Sequence, residues 1–137
     1  MLGDEGLALQ SVLVADDNGA FRALVSKVLR EHHLEVIEAA DGREARDLIL
    51  GKRPQLVILD ALMPRLSGFD LLLQLREKAL DYKPVIFVVT GVYKGHRWES
   101  ETRWQYQIHE YLVKPIWPED LLAAIARHFP DFSAVST

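Results

Sequence analysis

Six residues stand out because each lies at or just beyond the C-terminal end of a predicted strand. Four short apolar runs precede them, beginning near residues 12, 56, 85 and 111. In an open parallel sheet, ligands bind at the edge formed by the carboxyl ends of the strands. Three carboxylates, one hydroxyl and one ammonium would therefore converge on one crevice. The six residues are Asp16, Asp17, Asp60, Thr90, Lys114 and Pro115.

The three aspartates predict a metal site. Asp16 and Asp17 are adjacent in the sequence, and Asp60 ends the strand expected to lie beside theirs. Carboxylates at close quarters repel one another unless a cation or a proton intervenes. A Mg²⁺ ion, which binds through a few carboxylates and keeps several waters, would satisfy them. Taken alone, any one of these aspartates is more simply interpreted as a helix N-cap.

Lys114 and Thr90 indicate that the same site could also bind a phosphate group. A lysine after a strand is commonly a solvated surface residue, and a threonine there is commonly a helix cap. Lys114 would, however, face three carboxylates, and an ammonium in that position also suits a phosphate group. The joint placement at the ends of different strands favours a phosphate site over separate structural roles.

Apolar runs with strand character alternate with helical periodicity, which is typical of βαβ units around a parallel sheet. The first run, Ser11 to Ala15, is apolar on both faces and suits a central strand. An amphipathic helix follows and is expected to end near His32, before a second strand at about residues 35–39. We predict five strands and five helices in strict alternation.

Punctuating residues set the expected ends of the later elements. Gly51 is expected to end the second helix in the left-handed conformation. Residues 63–68 contain Pro64 and Gly68 and are expected to form a loop before the third helix. The fourth helix is expected between Trp98 and Gln107, and Pro118 suits the first turn of the fifth.

Composition limits the classes of function. The chain has 137 residues, about the size of one domain, and its formal net charge of −4 argues against a nucleic acid as the main partner. It contains no cysteine, which excludes disulfides and thiolate chemistry. No stretch is apolar enough to span a membrane, and the first ten residues do not resemble a signal peptide. We therefore expect a cytoplasmic protein without a membrane partner.

The chain resembles the receiver domains of two-component response regulators from about residue 11 to residue 129. The resemblance implies a flavodoxin-like, doubly wound α/β fold with five parallel strands in the order 2-1-3-4-5. Residues 1–10 are then expected to be a flexible N-terminal segment and 130–137 a C-terminal tail. The motifs that carry the resemblance are Val12 to Asn18, Leu56 to Pro64 with Gly68, Val88 to Gly91, and Tyr111 to Pro115.

The resemblance implies a role for each acidic residue. Asp60 would be the phosphoacceptor, and its carboxylate would take the phosphoryl group from a phosphohistidine to form an acyl phosphate. Asp17 and Asp60 would bind Mg²⁺ directly, together with the backbone carbonyl of Leu62. Asp16 would act on the same ion mainly through a water. The domain would be a switch that assists its own phosphorylation and dephosphorylation, and would not turn over a substrate.

The resemblance also implies a switch and a set of partners. Lys114 would neutralise charge on the phosphoryl oxygens, and a cis peptide before Pro115 would direct it into the site. Thr90 would bond a phosphoryl oxygen and let Tyr111 move from an outward to an inward position. The surface formed by the fourth helix, fifth strand and fifth helix would then change conformation. A homodimer could form through the same surface. The partners would be a histidine kinase or histidine phosphotransfer protein and a downstream protein or output domain.

Some positions depart from the family pattern or leave alternatives open. Gln107 and Ile108 stand where family members often have Gly-Ala, and aromatic and arginine residues between 93 and 106 suit either a partner surface or packing on the sheet. Leu62 and Val92 are apolar at positions that influence attack of water on the phosphate, which predicts a long-lived phosphate. One rival interpretation is a receiver-like interaction module that works without phosphorylation. A Mg²⁺-dependent phosphohydrolase would need a carboxylate where Leu62 stands.

Overall fold

Five short strands form one parallel sheet at the centre of the molecule. The computed structural model describes residues 8–78, 80–91 and 107–134. Apolar, largely β-branched sequences form the inner strands, as expected for a sheet covered on both faces. The strands are β1 (Ser11–Ala15), β2 (Glu35–Ala39), β3 (Leu56–Asp60), β4 (Val85–Thr90) and β5 (Glu110–Val113).

The strand order is β2-β1-β3-β4-β5, and every neighbouring pair is parallel. This order confirms the predicted doubly wound α/β topology, in which the chain reverses direction across the sheet between β1 and β3. Register pairs Asp60 with Val89 and Thr90 with Val113. The ends of the central strands are thereby aligned at one edge of the sheet.

Four helices cover the sheet in the described part of the chain. Their amphipathic sequences place one apolar stripe against the strands. The predicted fourth helix falls almost entirely on residues 92–106, which lie outside the described residues, so the predicted fifth helix is labelled α4 here. The helices are α1 (Gly19–Glu31), α2 (Gly42–Lys52), α3 (Gly68–Glu77) and α4 (Pro118–His128).

Alternate strand residues build two apolar clusters, one on each face of the sheet. Leu13 and Val57 point to the face covered by α2 and α3, and their neighbours Val12 and Leu56 point to the face covered by α1 and α4. This alternation follows from the two-residue repeat of a strand. Leu9 and Phe132, near the two ends of the described part of the chain, pack against the second cluster.

The prediction that Gly51 ends α2 is wrong. The helix continues to Lys52, and the left-handed residue is Arg53, with φ of 51°. Pro54 explains the difference, because the residue before a proline is sterically disfavoured in the right-handed helical region. The helix therefore stops immediately before the proline and not at the glycine.

Among the described residues, no helix has the length and apolar character required to cross a membrane. The longest, α1, has 13 residues.

Candidate phosphoryl and metal site

The six residues singled out in the sequence lie at the carboxyl edge of the sheet. Asp60 and Thr90 are the last residues of β3 and β4, and Lys114 directly follows β5. Asp16 and Asp17 directly follow β1, which is the neighbour of β3. The structure thus brings side chains from four strands to one site, at the edge where ligands bind in this class of sheet.

The three aspartates form a compact acidic cluster. One carboxylate oxygen from each of Asp16, Asp17 and Asp60 lies within 4.8 Å of the others. Asp16 and Asp60 are buried, whereas Asp17 is exposed to solvent. Three hard oxygen donors with one open side fit a Mg²⁺ ion, which keeps part of its water shell when bound. None of the three aspartates caps the helix that follows it, because Asn18 is the N-cap of α1 and Ser67 is the N-cap of α3.

Lys114 supplies positive charge on the buried side of this cluster. Its Nζ lies 2.7 Å from Oδ2 of Asp16 and 3.6 Å from Oδ2 of Asp60. Backbone pairing fixes the start of this segment, because the Lys114 N–H donates to the Thr90 carbonyl at 2.8 Å. The peptide bond between Lys114 and Pro115 is cis. The two ion pairs hold the ammonium between carboxylates that would otherwise repel each other.

Burial raises the pKa of the Asp60 carboxyl, and the neighbouring charges of Asp16 and Asp17 raise it further. The Leu62 N–H, which donates to Asp60 Oδ1 at 3.1 Å, and the Lys114 ammonium lower it without cancelling the effect of burial. Asp60 is therefore a carboxylate whose charged form needs additional positive charge. Such perturbed groups are typical of functional sites.

The loop from residue 61 to residue 67 is packed against the end of β3. The Gly68 N–H donates to the Ala61 carbonyl at 2.9 Å, and a Cβ on Gly68 would collide with the Asp60 carbonyl oxygen. Leu62 lies in this loop with its side chain 55% exposed. The absence of a side chain at Gly68 therefore allows α3 to begin directly against the end of β3.

A second close approach fixes the same loop to α2. A Cβ on Gly42 would fall on the carbonyl of Leu66, and the Arg65 guanidinium lies 3.2 Å from Oδ2 of Asp41. Asp41 is also the N-cap of α2, since Oδ1 accepts from the Glu44 N–H. The loop after Asp60 is therefore held at both of its ends.

Two residues for which the sequence predicted no role hold the acidic loop after β1. The Asn18 N–H donates to Asp16 Oδ1 at 2.8 Å, and Arg22 Nη1 donates to the Asp16 carbonyl at 2.7 Å. Arg22 also contacts Glu38 of β2 at 3.2 Å. The position of Asn18 before an amphipathic run could have predicted its role as a helix N-cap. The contacts of Arg22 could not have been predicted from the sequence, because its partners are set by tertiary packing.

Thr90 and Tyr111 occupy buried positions on neighbouring strands. Thr90 is 2% exposed at the end of β4, and Tyr111 is 7% exposed within the first apolar cluster. Tyr111 is paired in register with Val88, two residues before Thr90. Val92 and the aromatic and arginine residues between 93 and 106 lie outside the described residues.

Comparison with known proteins agrees with this arrangement. Residues 12–126 match the family described as the response regulator receiver domain. Response regulator MprA of Mycolicibacterium vanbaalenii is 38% identical over 112 residues, covering 82% of this chain and 47% of that protein. The chain therefore spans about half the length of MprA. Protein PilG of Pseudomonas aeruginosa is 32% identical over 130 residues, covering 90% of each chain.

A solved structure shows the same fold. Chemotaxis protein CheY4 of Vibrio cholerae superimposes with a TM-score of 0.79 at 30% sequence identity, over 89% of this chain and 100% of that one. The family match begins in β1 and ends in α4, so it includes all four strand ends that form the site. The chain belongs to the response regulator receiver domain family.

Proposed function

We propose that this receiver domain accepts a phosphoryl group on Asp60 from a histidine kinase or a histidine phosphotransfer protein. The observation that carries the proposal is the position of the Asp60 carboxylate. It is buried at the end of the central strand β3, beside two further carboxylates and 3.6 Å from the Lys114 ammonium. We propose residues 11–129 as the unit that does this, with segments 1–10 and 130–137 outside it.

The reaction is a transfer between two nucleophiles. An oxygen of the Asp60 carboxylate attacks the phosphorus of a phosphohistidine and forms the O–P bond of an acyl phosphate. The N–P bond of the donor breaks, and its electron pair stays on the imidazole nitrogen. In such transfers, proteins act mainly by positioning the groups and by stabilising the charge on the phosphoryl oxygens. Lys114 lies where its ammonium would contact one of those oxygens.

The acidic cluster is proposed to hold Mg²⁺. Asp17, Asp60 and the backbone carbonyl of Leu62 would be direct ligands, and Asp16 would bind through a water. When bound, the ion supplies positive charge for the phosphoryl oxygens. The same charge would favour ionised Asp60 and so counter the rise in its pKa caused by burial.

The phosphorylated state is proposed to differ at Thr90 and Tyr111. The Thr90 hydroxyl, at the end of β4, would donate a hydrogen bond to a phosphoryl oxygen. We take the buried position of Tyr111 as the inward position of its side chain. The new charge-assisted bond would favour the state with Tyr111 inward, and the surface around β5 and the last helix would report it.

A downstream protein or output domain is proposed to bind that surface, and a second copy of this chain is a further candidate for it. MprA is named a response regulator, and this chain matches only 47% of its length. The output is therefore proposed to come from a partner or from a region beyond the matched domain.

Intact mass spectrometry tests the acceptor. The protein is incubated with acetyl phosphate and Mg²⁺, and wild type is compared with Asp60→Asn and with Asp47→Asn, whose carboxylate lies on the exposed side of α2. Wild type and Asp47→Asn should each gain the mass of one phosphate, and Asp60→Asn should gain none. Chelation of Mg²⁺ should abolish the gain.

The phosphate-independent interaction module remains the second candidate. It predicts no mass gain in any of the three proteins, together with binding to a partner that is unchanged by Asp60→Asn. The phosphohydrolase alternative lacks its acid or base, because the second residue after Asp60 is the apolar Leu62.

A further inference from the structure

We infer that Phe21 is a positioning residue for Lys114, because the face of its ring holds the lysine ammonium against the acidic cluster. The inference rests on the phosphoacceptor function proposed above, since it gives Phe21 a part in that reaction. Nζ of Lys114 lies 4.3 Å from the centroid of the Phe21 ring. This distance is within the range of a cation–π interaction, in which the negative face of the ring attracts the cation.

The position of the ring is fixed by the same residues that form the site. The Phe21 N–H donates to Oδ1 of its helix cap, Asn18, at 3.0 Å, and the Asn18 N–H donates to Asp16 Oδ1 at 2.8 Å. The other oxygen of Asp16 lies 2.7 Å from Lys114 Nζ. Asp16, Asn18, Phe21 and Lys114 therefore form a closed circuit of contacts. The N-cap of α1 therefore helps to position the Phe21 ring beside the Lys114 ammonium.

The apolar surroundings of the ring support this role. Phe21 packs against the second apolar cluster and lines a small cavity with Val25, Ile58 and Leu121. That packing places apolar side chains around the ring. The ring also keeps water from one side of the Lys114 side chain, which is 21% exposed. Both the attraction of the ring and the two ion pairs are strengthened where water is excluded.

The position of the ammonium gives the contact a function. Nζ is 2.7 Å from Asp16 and 3.6 Å from Asp60, so Lys114 stands between the two carboxylates. Without the ring, a flexible lysine would lose one of its three contacts and would spend more time in solvent. The Lys114 ammonium would then be out of position more often when a phosphoryl donor meets Asp60, and phosphoryl transfer would be slower.

A series of fluorinated phenylalanines at position 21 tests the inference. Fluorine atoms weaken the negative ring face stepwise and change the ring volume little. We expect the rate of phosphorylation by acetyl phosphate, at saturating Mg²⁺, to fall with each added fluorine. The total loss should be about two- to fivefold, as for a partly exposed cation–π contact. Phe21→Leu should lose a similar factor and Phe21→Tyr should retain the wild-type rate.

Two controls separate attraction from packing. The same series at Phe132, which packs near His32 away from the site, should not change the rate. In a Lys114→Met background, the series at Phe21 should also have no effect on the residual rate. Equal rates across the series in the wild-type background would overturn the inference, because simple packing would tolerate fluorine.

Proton NMR of the unphosphorylated protein gives a readout that needs no reaction. The ring current of Phe21 should shift the ε-methylene protons of Lys114 upfield, and Phe21→Leu should remove that shift. If wild type gains no phosphate but the upfield shift is present, the proposed function fails and the contact stands. If wild type gains phosphate and the shift is absent, the inference about Phe21 is overturned alone.

Discussion

At the scale of single residues, Asp60 combines two opposing requirements. A nucleophilic carboxylate has to be ionised, yet burial and the charges of Asp16 and Asp17 raise its pKa. Lys114 at 3.6 Å compensates only part of this cost. A cation held by the acidic cluster, as proposed above, would supply the positive charge that this balance lacks.

This imbalance predicts that Asp60→Asn stabilises the metal-free protein at pH 7. The folded pKa of Asp60 is raised above the ordinary value of 3.8, so the unfolded chain loses its proton first. Folded stability therefore falls as pH rises through the interval between 3.8 and the folded pKa, and stays lower above it. Asparagine avoids this loss, and Lys114 keeps its closer partner Asp16.

Urea denaturation in the presence of a chelator measures the effect. The gain of Asp60→Asn over wild type should be largest at neutral pH, should shrink as pH falls from the raised folded pKa towards 3.8, the ordinary aspartate value, and should be lost below it. Asp47→Asn, on the surface of α2, should show no such gain. A variant Asp60→Asn that is less stable than wild type at pH 7 would contradict the assignment of a destabilising charge.

Leu62 predicts the lifetime of the acyl phosphate. Its side chain is 55% exposed two residues beyond Asp60, and it offers no polar atom to orient an attacking water. Leu62→Glu should shorten the half-life of the phosphorylated protein severalfold, because a carboxylate there would act as a general base. Loss of radioactive label after removal of the donor measures the half-life. Leu24→Glu, exposed on α1, is the control that should leave it unchanged.

At the scale of elements, the two glycines of α2 should respond in opposite directions to replacement by alanine. A Cβ at Gly42 would overlap the Leu66 carbonyl, whereas no atom lies within 4 Å of a Cβ at Gly51. Gly51→Ala should raise the free energy of unfolding by about 0.5–1 kcal/mol, the usual helical gain over glycine. Gly42→Ala should lower it by about 1–3 kcal/mol, the range for overpacking.

Chemical denaturation of the two variants provides the comparison, and each serves as the control for the other. If both alanines stabilised the protein, the loop after Asp60 would not be packed on α2 as described. Gly42→Ala should also slow phosphorylation, because the same loop carries Leu62 and begins at the acceptor strand.

Glu110 links β5 to the last helix. Burial raises the pKa of Glu110, but hydrogen bonds from Arg127 at 2.6 Å and His128 at 2.8 Å outweigh it, so the pKa is lowered. The stabilisation is therefore present above the ordinary value of 4.5 and is lost as pH falls through the lower folded pKa. Glu110→Gln should cost about 1 kcal/mol at pH 7, since Arg127 is largely exposed.

Thermal or urea unfolding at several pH values tests this link. The deficit of Glu110→Gln should close as the solution is acidified below pH 4.5. Asp47→Asn, which removes the exposed pair with Arg46, should cost close to nothing. A deficit that persists in acid would show that the packing of Glu110, and not its charge, holds the helix.

Periodicity and strand-end chemistry predicted most of these elements, because both are local properties of the sequence. The five strands and the start of the last helix at Pro118 are confirmed, and so is the strand order that the family resemblance implies. The end of α2 was wrong because Pro54 limits its preceding residue more strongly than Gly51 attracts a helix end. The contacts of Arg22 and Phe21 were not predictable, because a long or planar side chain finds its partner only through the fold.

At the scale of the whole molecule, the family match and the residues at the carboxyl edge of the sheet point to the same site. The family match covers residues 12–126, and the acidic cluster and Lys114 lie at the edge where that fold binds ligands. A charge added at Asp60 would contact β4 through Thr90 and β5 through Lys114. The proposed readout of phosphorylation would then lie near β5 and the last helix of this receiver domain.

The most direct test of this account locates the phosphoryl group on the chain. After incubation with acetyl phosphate and Mg²⁺, sodium borohydride reduces an acyl phosphate of aspartate to homoserine, and peptide sequencing by mass spectrometry identifies the position. The account predicts homoserine at residue 60 and at no other aspartate. Homoserine at Asp16 or Asp17, or none at all in a protein that binds Mg²⁺, would contradict it.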